Sequence, residues 1–211
     1  MSVTAIIAGA RIENYDWLAK KLTSADKIFC ADSGLNHANK IGIIPDKIVG
    51  DFDSVDKNLL NKYKTKSEII HNPDQYSTDL MKALDLTNDL CDIEIYGAVG
   101  GRADHDFSNI ITLLNRECCN HIILKTEHDE RRVIKKPISM KADIGDMFGI
   151  FPLRPVNQLH YEGLKWPAQG LDGPFDLGWN GACNPAISTT VEIFIDSGAA
   201  LVTRTYKNFV R

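Results

Sequence analysis

Nowhere in this 211-residue chain is there a run of about 20 apolar residues, the length a membrane helix requires, so a helical membrane protein is not expected. The first ten residues hold one short apolar run without a basic leader or a cleavage-like site, so no export signal is read. Cysteine is sparse: Cys30, Cys91, Cys118, Cys119 and Cys183 are an odd number without CxxC spacing. That pattern excludes a disulfide framework and a structural zinc site, and it fits reduced thiols in a cytoplasmic protein. A basic excess is also missing, with 24 Lys and Arg against 28 Asp and Glu. No nucleic-acid partner is therefore expected. Neither GxGxxG nor GxxxxGKS/T occurs, so a standard dinucleotide fingerprint and a Walker loop are both absent.

What is present is a globular composition, 44% hydrophobic and 25% charged, in a length that suits one large domain or two small ones. The acidic excess is uneven. Residues 1–125 carry 14 basic and 18 acidic side chains, whereas residues 126–211 carry 10 of each. The same boundary divides the hydrophobic pattern. Before it, short apolar runs (Val3–Ala8, Lys27–Ala31, Lys47–Gly50, Glu68–His71, Asp92–Tyr96, His121–Lys125) alternate with helical patterns near Tyr15–Leu22, Leu35–Lys40, Thr78–Leu90 and Asp106–Arg116. That alternation predicts an α/β domain over 1–125 with a mainly parallel sheet covered on both faces. After it, period-two segments at Ile144–Phe151, Gln158–Leu164 and Thr190–Ile195 predict a small antiparallel β domain over 126–211. There Asp196-Ser-Gly198 reads as the turn of a hairpin leading into Ala200–Tyr206.

The unusual residues cluster by position. Gly9, Asp32-Ser-Gly34, Gly50-Asp-Phe-Asp-Ser54, Asn72–Asp79 and Gly97–Asp104 each follow an expected parallel strand, so all five converge on the rim where open α/β sheets bind ligands. Strand alternation would set Asp51 and Asp53 on one side with Phe52 turned away. Two carboxylates that close repel unless a cation lies between them, and an oxygen-only acidic set suits Mg²⁺. Read alone, the segment serves equally as an Asp turn. Gly97–Arg102 places three glycines and an Arg before a helix, where bare amides and a guanidinium attract phosphate. Asp104 would cap that helix in the plainer interpretation, and Ser77 or Thr78 would cap the helix that Asp79 opens. His105 is read as a partly exposed helix histidine.

Together these segments resemble the thiamine pyrophosphokinases. Asp32-Ser-Gly, Gly50-Asp-Phe-Asp-Ser54, Ser77-Thr-Asp79 and Gly100-Gly-Arg-Ala-Asp-His105 follow that family's order and spacing, and Gly163-Leu-Lys-Trp-Pro167 is similar to a segment of its β domain. The resemblance implies a Rossmann-like domain followed by a β-sandwich or barrel domain that binds thiamine and forms a homodimer, with active sites between subunits. It implies Mg²⁺-dependent transfer of pyrophosphate from ATP to the hydroxyl of thiamine. By motif, Asp51, Asp53 and Asp79 would hold the metal and Asp32 would stand beside them. Gln75, Thr78, Gly100, Gly101, Arg102 and Asp104 would line the path of the nucleotide. Asn184 and Trp179 would meet thiamine. Two positions depart from the family: Tyr76 stands where many members have Asp, and Cys183-Asn184 stands where Ser-Asn is frequent. The competing interpretations are a haloacid-dehalogenase-type phosphatase with Asp51 as nucleophile, and a nucleotide or thiamine sensor without turnover.

Overall fold

The computed structural model describes residues 2–87, 92–117, 121–168, 175–176 and 178–210. Cys91, Cys118, Cys119 and the end of the helix expected over Thr78–Leu90 lie outside the described residues. Contacts group the chain into two compact units, Met1–Thr112 with Leu124–Glu127, and Leu113–Ile123 with His128–Arg211. Among the described residues no helix is long and apolar enough to cross a membrane.

From the start to β6 the chain alternates strand and helix: β1 (Val3–Ile7), α1 (Tyr15–Leu22), β2 (Lys27–Ala31), α2 (Gly34–Lys40), β3 (Lys47–Gly50), α3 (Lys57–Tyr63), β4 (Glu68–His71), α4 (Asp79–Asp85), β5 (Asp92–Tyr96), α5 (Ala103–Asn115) and β6 (Ile122–Lys125). β1 has four consecutive buried residues, as a strand covered on both faces must. It pairs in parallel with both β2 and β5, and β2–β3 and β3–β4 are parallel as well. The spatial order β6-β5-β1-β2-β3-β4 reverses direction between β1 and β5. α1 shows the local logic. Asn14 caps it by accepting from the Trp17 amide at 2.9 Å, Lys20 and Lys21 lie in its last turn, and Leu18 and Leu22 are buried one helical turn apart. α3 has no counterpart in the hydrophobic pattern because it buries only Tyr63. Its one sequence signal is the Asp56 cap, which accepts from Asn58 N at 2.8 Å.

The second unit is a sandwich of two antiparallel sheets. Its strands are β7 (Asp129–Ile134), β8 (Ile138–Lys141), β9 (Met147–Asn157), β10 (His160–Glu162), β11 (Gly181–Pro185), β12 (Thr190–Phe194) and β13 (Ser197–Thr205). One sheet runs β11-β9-β13-β7 and the other β10-β12-β8. Ile134, Phe148, Ile150 and Val202 from the first meet Met140, Tyr161, Val191 and Ile193 from the second in one buried core. β9 passes through Pro152 and Pro155, tolerated because β13 shifts register opposite that stretch.

The hairpin expected around Asp196-Ser-Gly198 does not form. β12 pairs with β8 and β10, whereas β13 pairs with β7 and β9, so the turn carries the chain from one sheet to the other. The cause is its attachment to the end of β9. The Asp196 amide donates to Asn157 O at 3.1 Å, Asn157 Nδ2 donates to Ser197 Oγ at 2.9 Å, and Gly198 (φ +93°) lies against the Pro155 carbonyl.

Asp146, fully buried in this unit, is tied from three directions. Its oxygens accept from the amides of Asp143 and Lys207, each at 2.8 Å, and from Arg204 Nε at 2.7 Å. Burial works to raise its carboxyl, and those amides with the guanidinium outweigh it and hold the group below the ordinary range. A depressed carboxyl contributes stability above its unfolded pKa of about 3.9 and loses it as pH falls through the folded value. Asp146→Asn is expected to cost about 3 kcal/mol at pH 7, because Arg204, set between Asp146 and Glu130, loses the nearer of its two carboxylate partners. In urea melts the gap from the wild type should begin to shrink below about pH 4, where the unfolded chain takes up a proton that the folded carboxyl still resists.

Candidate active site

In an open parallel sheet the two loops at the point where strand order reverses part from each other and leave a crevice. Here that point lies between β1 and β5, and a cleft of about 470 Å³ opens there. Ala8, Gly9, Ala10 and Arg11 line it after β1, and Gly97, Ala98, Gly101 and Arg102 after β5. Asp32 and Ser33 reach it from the end of β2, Thr78 and Asp79 from the start of α4, and His105 and Asp106 from α5. Two glycines permit the close approach. Gly34 packs so tightly that a Cβ would overlap the Ile7 carbonyl, and Gly97, at φ +65°, would bring one to 2.5 Å from Ala8 O.

Beside the cleft, Asp32, Asp51 and Asp79 each offer an oxygen within 4.8 Å of the others. Asp53 is not one of the three. β3 ends at Gly50, and Phe52 adopts φ +62°, so the alternation expected to align Asp51 with Asp53 does not apply. Phe52 instead stacks on His71, and Asp53 accepts from Ser54 Oγ at 2.7 Å. Asp32, only 4% exposed, is held at φ +42° with its Oδ1 accepting from the Phe52 amide at 3.1 Å. Burial raises its carboxyl above the ordinary range, and the charge of Asp79, with Asp51 and Asp53, adds to the rise. Asp51 is held low by the Gln75 amide, whose Nε2 donates to Asp51 Oδ2 at 3.0 Å. Lys82, almost wholly buried, donates to Asp79 Oδ1 at 3.0 Å. Three carboxylates and one ammonium leave an uncompensated negative charge in a partly buried place, which suits a divalent cation with oxygen ligands.

The loop between Asn72 and Thr78 is braced by its own side chains. Asn72 Oδ1 accepts from Asp74 N at 3.0 Å, Asp74 Oδ1 accepts from Tyr76 N at 3.1 Å, and Ser77 Oγ donates to Asp74. The Ser77 bond holds the Asp74 carboxyl below the ordinary range. Thr78 is the α4 cap, accepting from Met81 N at 3.2 Å, and it also faces the cleft. Tyr76 is fully exposed.

The glycine segment differs from expectation in two respects. The Gly100 N–H is not bare: both oxygens of Asp106 accept from it, at 3.2 and 3.0 Å. Asp104 does not cap the helix with its side chain but forms a two-point pair with Arg102, Nε to Oδ1 at 3.1 Å and Nη2 to Oδ2 at 2.5 Å. That pairing holds the Asp104 carboxyl low. The sequence reading missed Arg11, Lys82 and Asp106. Arg11 stands two residues past Gly9 on the same rim, and Asp79-x-x-Lys82 has the i,i+3 spacing that joins side chains on a helix, so both carried a usable signal.

Asn184 and Trp179 belong to the second unit. Asn184 is buried with its amide engaged, Oδ1 accepting from Trp166 N at 3.0 Å and Nδ2 donating to Trp166 O at 2.6 Å. Trp179 packs edge-on against Phe175 with ring centroids 5.2 Å apart.

Residues 18–124, about half of the chain, match the family model described as thiamin pyrophosphokinase, catalytic domain. The chain belongs to the thiamin pyrophosphokinase family. A rice (Oryza sativa subsp. japonica) protein, Thiamine pyrophosphokinase 2, is 29% identical over an alignment 184 positions long that covers 68% of this chain and 65% of its own length, just under two thirds. The solved structures of thiamine pyrophosphokinase from Bacillus subtilis (TM-score 0.82, 23% identity) and of a family protein from Enterococcus faecalis (0.81, 20%) each align over 97% of this chain and 99% of their own. Thiamin pyrophosphokinase from Candida albicans aligns with a TM-score of 0.78 at 20% identity, over 97% and 89%. These likenesses extend to the whole fold, both the parallel α/β part and the antiparallel strands that follow it.

Within this thiamin pyrophosphokinase fold the cleft depends on its close backbone approaches. Gly97→Ala should destabilise the protein by about 2 kcal/mol, since an L-residue in the left-handed region costs roughly 1–2 kcal/mol before the contact with Ala8 O is counted. Denaturant unfolding measures it.

Proposed function

We propose that this protein transfers the pyrophosphoryl group of ATP to the hydroxyl of thiamine, giving thiamine diphosphate and AMP. The observation that carries the proposal is the convergence of Asp32, Asp51 and Asp79 beside a cleft that also presents Arg11 and Arg102, in a chain of this family. An acidic rim accepts a polyphosphate only together with a cation. Asp32, Asp51 and Asp79 would hold Mg²⁺, with Asp53 contributing charge at its edge. When bound, the ion offsets charge on the phosphate oxygens.

The chain's own groups orient the substrate. Arg102 and Arg11 would exchange their exposed carboxylate partners, Asp104 and Glu13, for phosphate oxygens. Gln75 keeps Asp51 aimed and ionised, while Thr78, by capping α4, fixes where Asp79 emerges. Gly100 and Gly101 keep the adjoining loop free of side chains. In the reaction the thiamine hydroxyl oxygen bonds to the β-phosphorus of ATP. The bond from that phosphorus to the oxygen bridging the α-phosphorus breaks, AMP leaves with that oxygen, and the hydroxyl proton is given up to solvent. Positioning supplies most of the acceleration in such an in-line transfer, so no protein nucleophile is needed.

The second unit is assigned to thiamine and to dimerisation. Trp179 offers an aromatic face suited to the cationic thiazolium. Asn184, committed to Trp166, would act by holding that segment in place. Exposed Ile144, Trp166 and Ile187 support a subunit contact. They sit on three segments joined by backbone bonds, Gly145 N to Ala186 O and Ile187 N to Gly163 O, each at 2.9 Å, and Lys165 N to Pro185 O at 3.0 Å.

Purified protein with Mg²⁺, ATP and thiamine should form AMP and thiamine diphosphate in equal amounts by chromatography. Release of inorganic phosphate alone would instead mark a phosphatase. Asp51→Asn should abolish turnover without lowering the melting temperature, because this rim carboxylate packs against no core and its charge is repelled by Asp32 and Asp79. Near-normal Mg²⁺-dependent activity in that variant sinks the metal assignment. Ile187→Lys should shift the protein from dimer to monomer in sedimentation, and a wild type already monomeric would refute the subunit contact.

A further inference from the structure

Ala10 is the point where the two cleft loops meet. Its amide donates to Gly97 O at 2.7 Å, and a Cβ built on Gly101 would rest 3.4 Å from its own Cβ. Its carbonyl is held by a side chain from α2: His37 Nε2 stands 3.0 Å from Ala10 O. On the other side of the ring, His37 Nδ1 lies 2.8 Å from the Tyr15 hydroxyl at the start of α1. A carbonyl can only accept, so Nε2 carries the proton and Nδ1 accepts from Tyr15. Both ring nitrogens of this buried histidine are thereby committed, and the neutral form is the one that fits. Burial holds its pKa below the ordinary value, and Lys40, whose Nζ lies 3.9 Å from the Tyr15 ring centroid, works in the same direction.

In a trans peptide the N–H points opposite to the C=O. Holding the Ala10 carbonyl toward α2 therefore turns the Arg11 amide away from α2 and fixes the origin of the Arg11 side chain. The adjoining Gly9–Ala10 peptide is bonded through Ala10 N to Gly97 O, on the loop that leads to Arg102. One imidazole thus sets the relation between the two arginine-bearing loops.

We propose that His37 is a positioning residue for nucleotide binding: through Ala10 it locks the loops that present Arg11 and Arg102 to the phosphates of ATP. The inference rests on the nucleotide assignment of the cleft given above. Its test therefore measures MgATP binding directly, by titration calorimetry without thiamine, alongside steady-state kinetics and thermal melts.

His37→Leu should weaken MgATP binding about tenfold and raise KM for ATP to match, with kcat and KM for thiamine changed less than about threefold, as expected when a supporting contact is lost but the contacting groups remain. His37→Gln retains an N–H donor near the place of Nε2 and should recover affinity to within about threefold of the wild type. Tyr15→Phe removes only the partner of Nδ1 and should fall between the two. A merely structural role would lower the melting temperature of His37→Leu and leave MgATP affinity untouched. That result overturns the inference, and so does equal affinity in Tyr15→Phe should the leucine variant not fold. A wild type that binds no MgATP overturns the nucleotide assignment and this inference with it.

Discussion

Like charges at close quarters govern the C-terminal edge of the parallel sheet. Oxygens of Asp32, Asp51 and Asp79 lie within 4.8 Å of one another, and at an effective dielectric of about 20 each such pair repels by roughly 3 kcal/mol when ionised. The fold could relieve this by turning a carboxylate outward, and it does the reverse. Asp32 is buried, which raises its carboxyl further, while Gln75 pins Asp51 and Lys82 pins Asp79. Three carboxylates less one ammonium leave two negative charges, a balance that matches a divalent cation and no monovalent one.

Backbone strain falls in the same place. Among the described residues outside glycine, four have positive φ, and two of them, Asp32 and Phe52, belong to the segments that carry the acidic group. Left-handed backbone at a non-glycine residue costs on the order of 1 kcal/mol or more and persists only where its surroundings over-determine it. The surroundings are visible. Asp32 N donates to Val49 O at 2.8 Å, Asp32 Oδ1 accepts from the Phe52 amide, and a Cβ on Gly50 would meet Asp32 Cβ at 2.9 Å. Each strained residue is held by the other, and glycine is what lets β3 come that near.

How much of this could be read beforehand follows the physics of each signal. Parallel strands were legible because burial on both faces leaves uninterrupted apolar runs, as in Ala5–Ile7 and Ile28–Ala31. The helix Lys57–Tyr63 was not, since one buried residue creates no period. Convergence of the acidic loops followed from strand direction alone, whereas the membership of the trio did not. Alternation holds only while a strand continues, and β3 stops one residue before Asp51. The turn at Asp196–Gly198 was visible as a turn, but which sheet receives the next strand depends on its bonds to Asn157 and its close packing on Pro155, about 40 residues away in the chain.

The cations around the site divide into two kinds by their exposure, and the division bears on how a polyphosphate would be handled. Lys82 is withdrawn from solvent and bonded to Asp79, so its charge is a fixed part of the framework. Arg11 and Arg102 are exposed, and their partners Glu13 and Asp104 are exposed with them. Ion pairs in open solvent contribute little, so exchanging such a carboxylate for a phosphate oxygen carries a small penalty. Because Arg11 and Arg102 sit on loops joined at Ala10 and Gly97, capture of phosphate by one arginine bears on the place of the other. On the nucleotide assignment proposed above, a site built this way would distinguish a polyphosphate spanning both loops from a single phosphate that can satisfy only one.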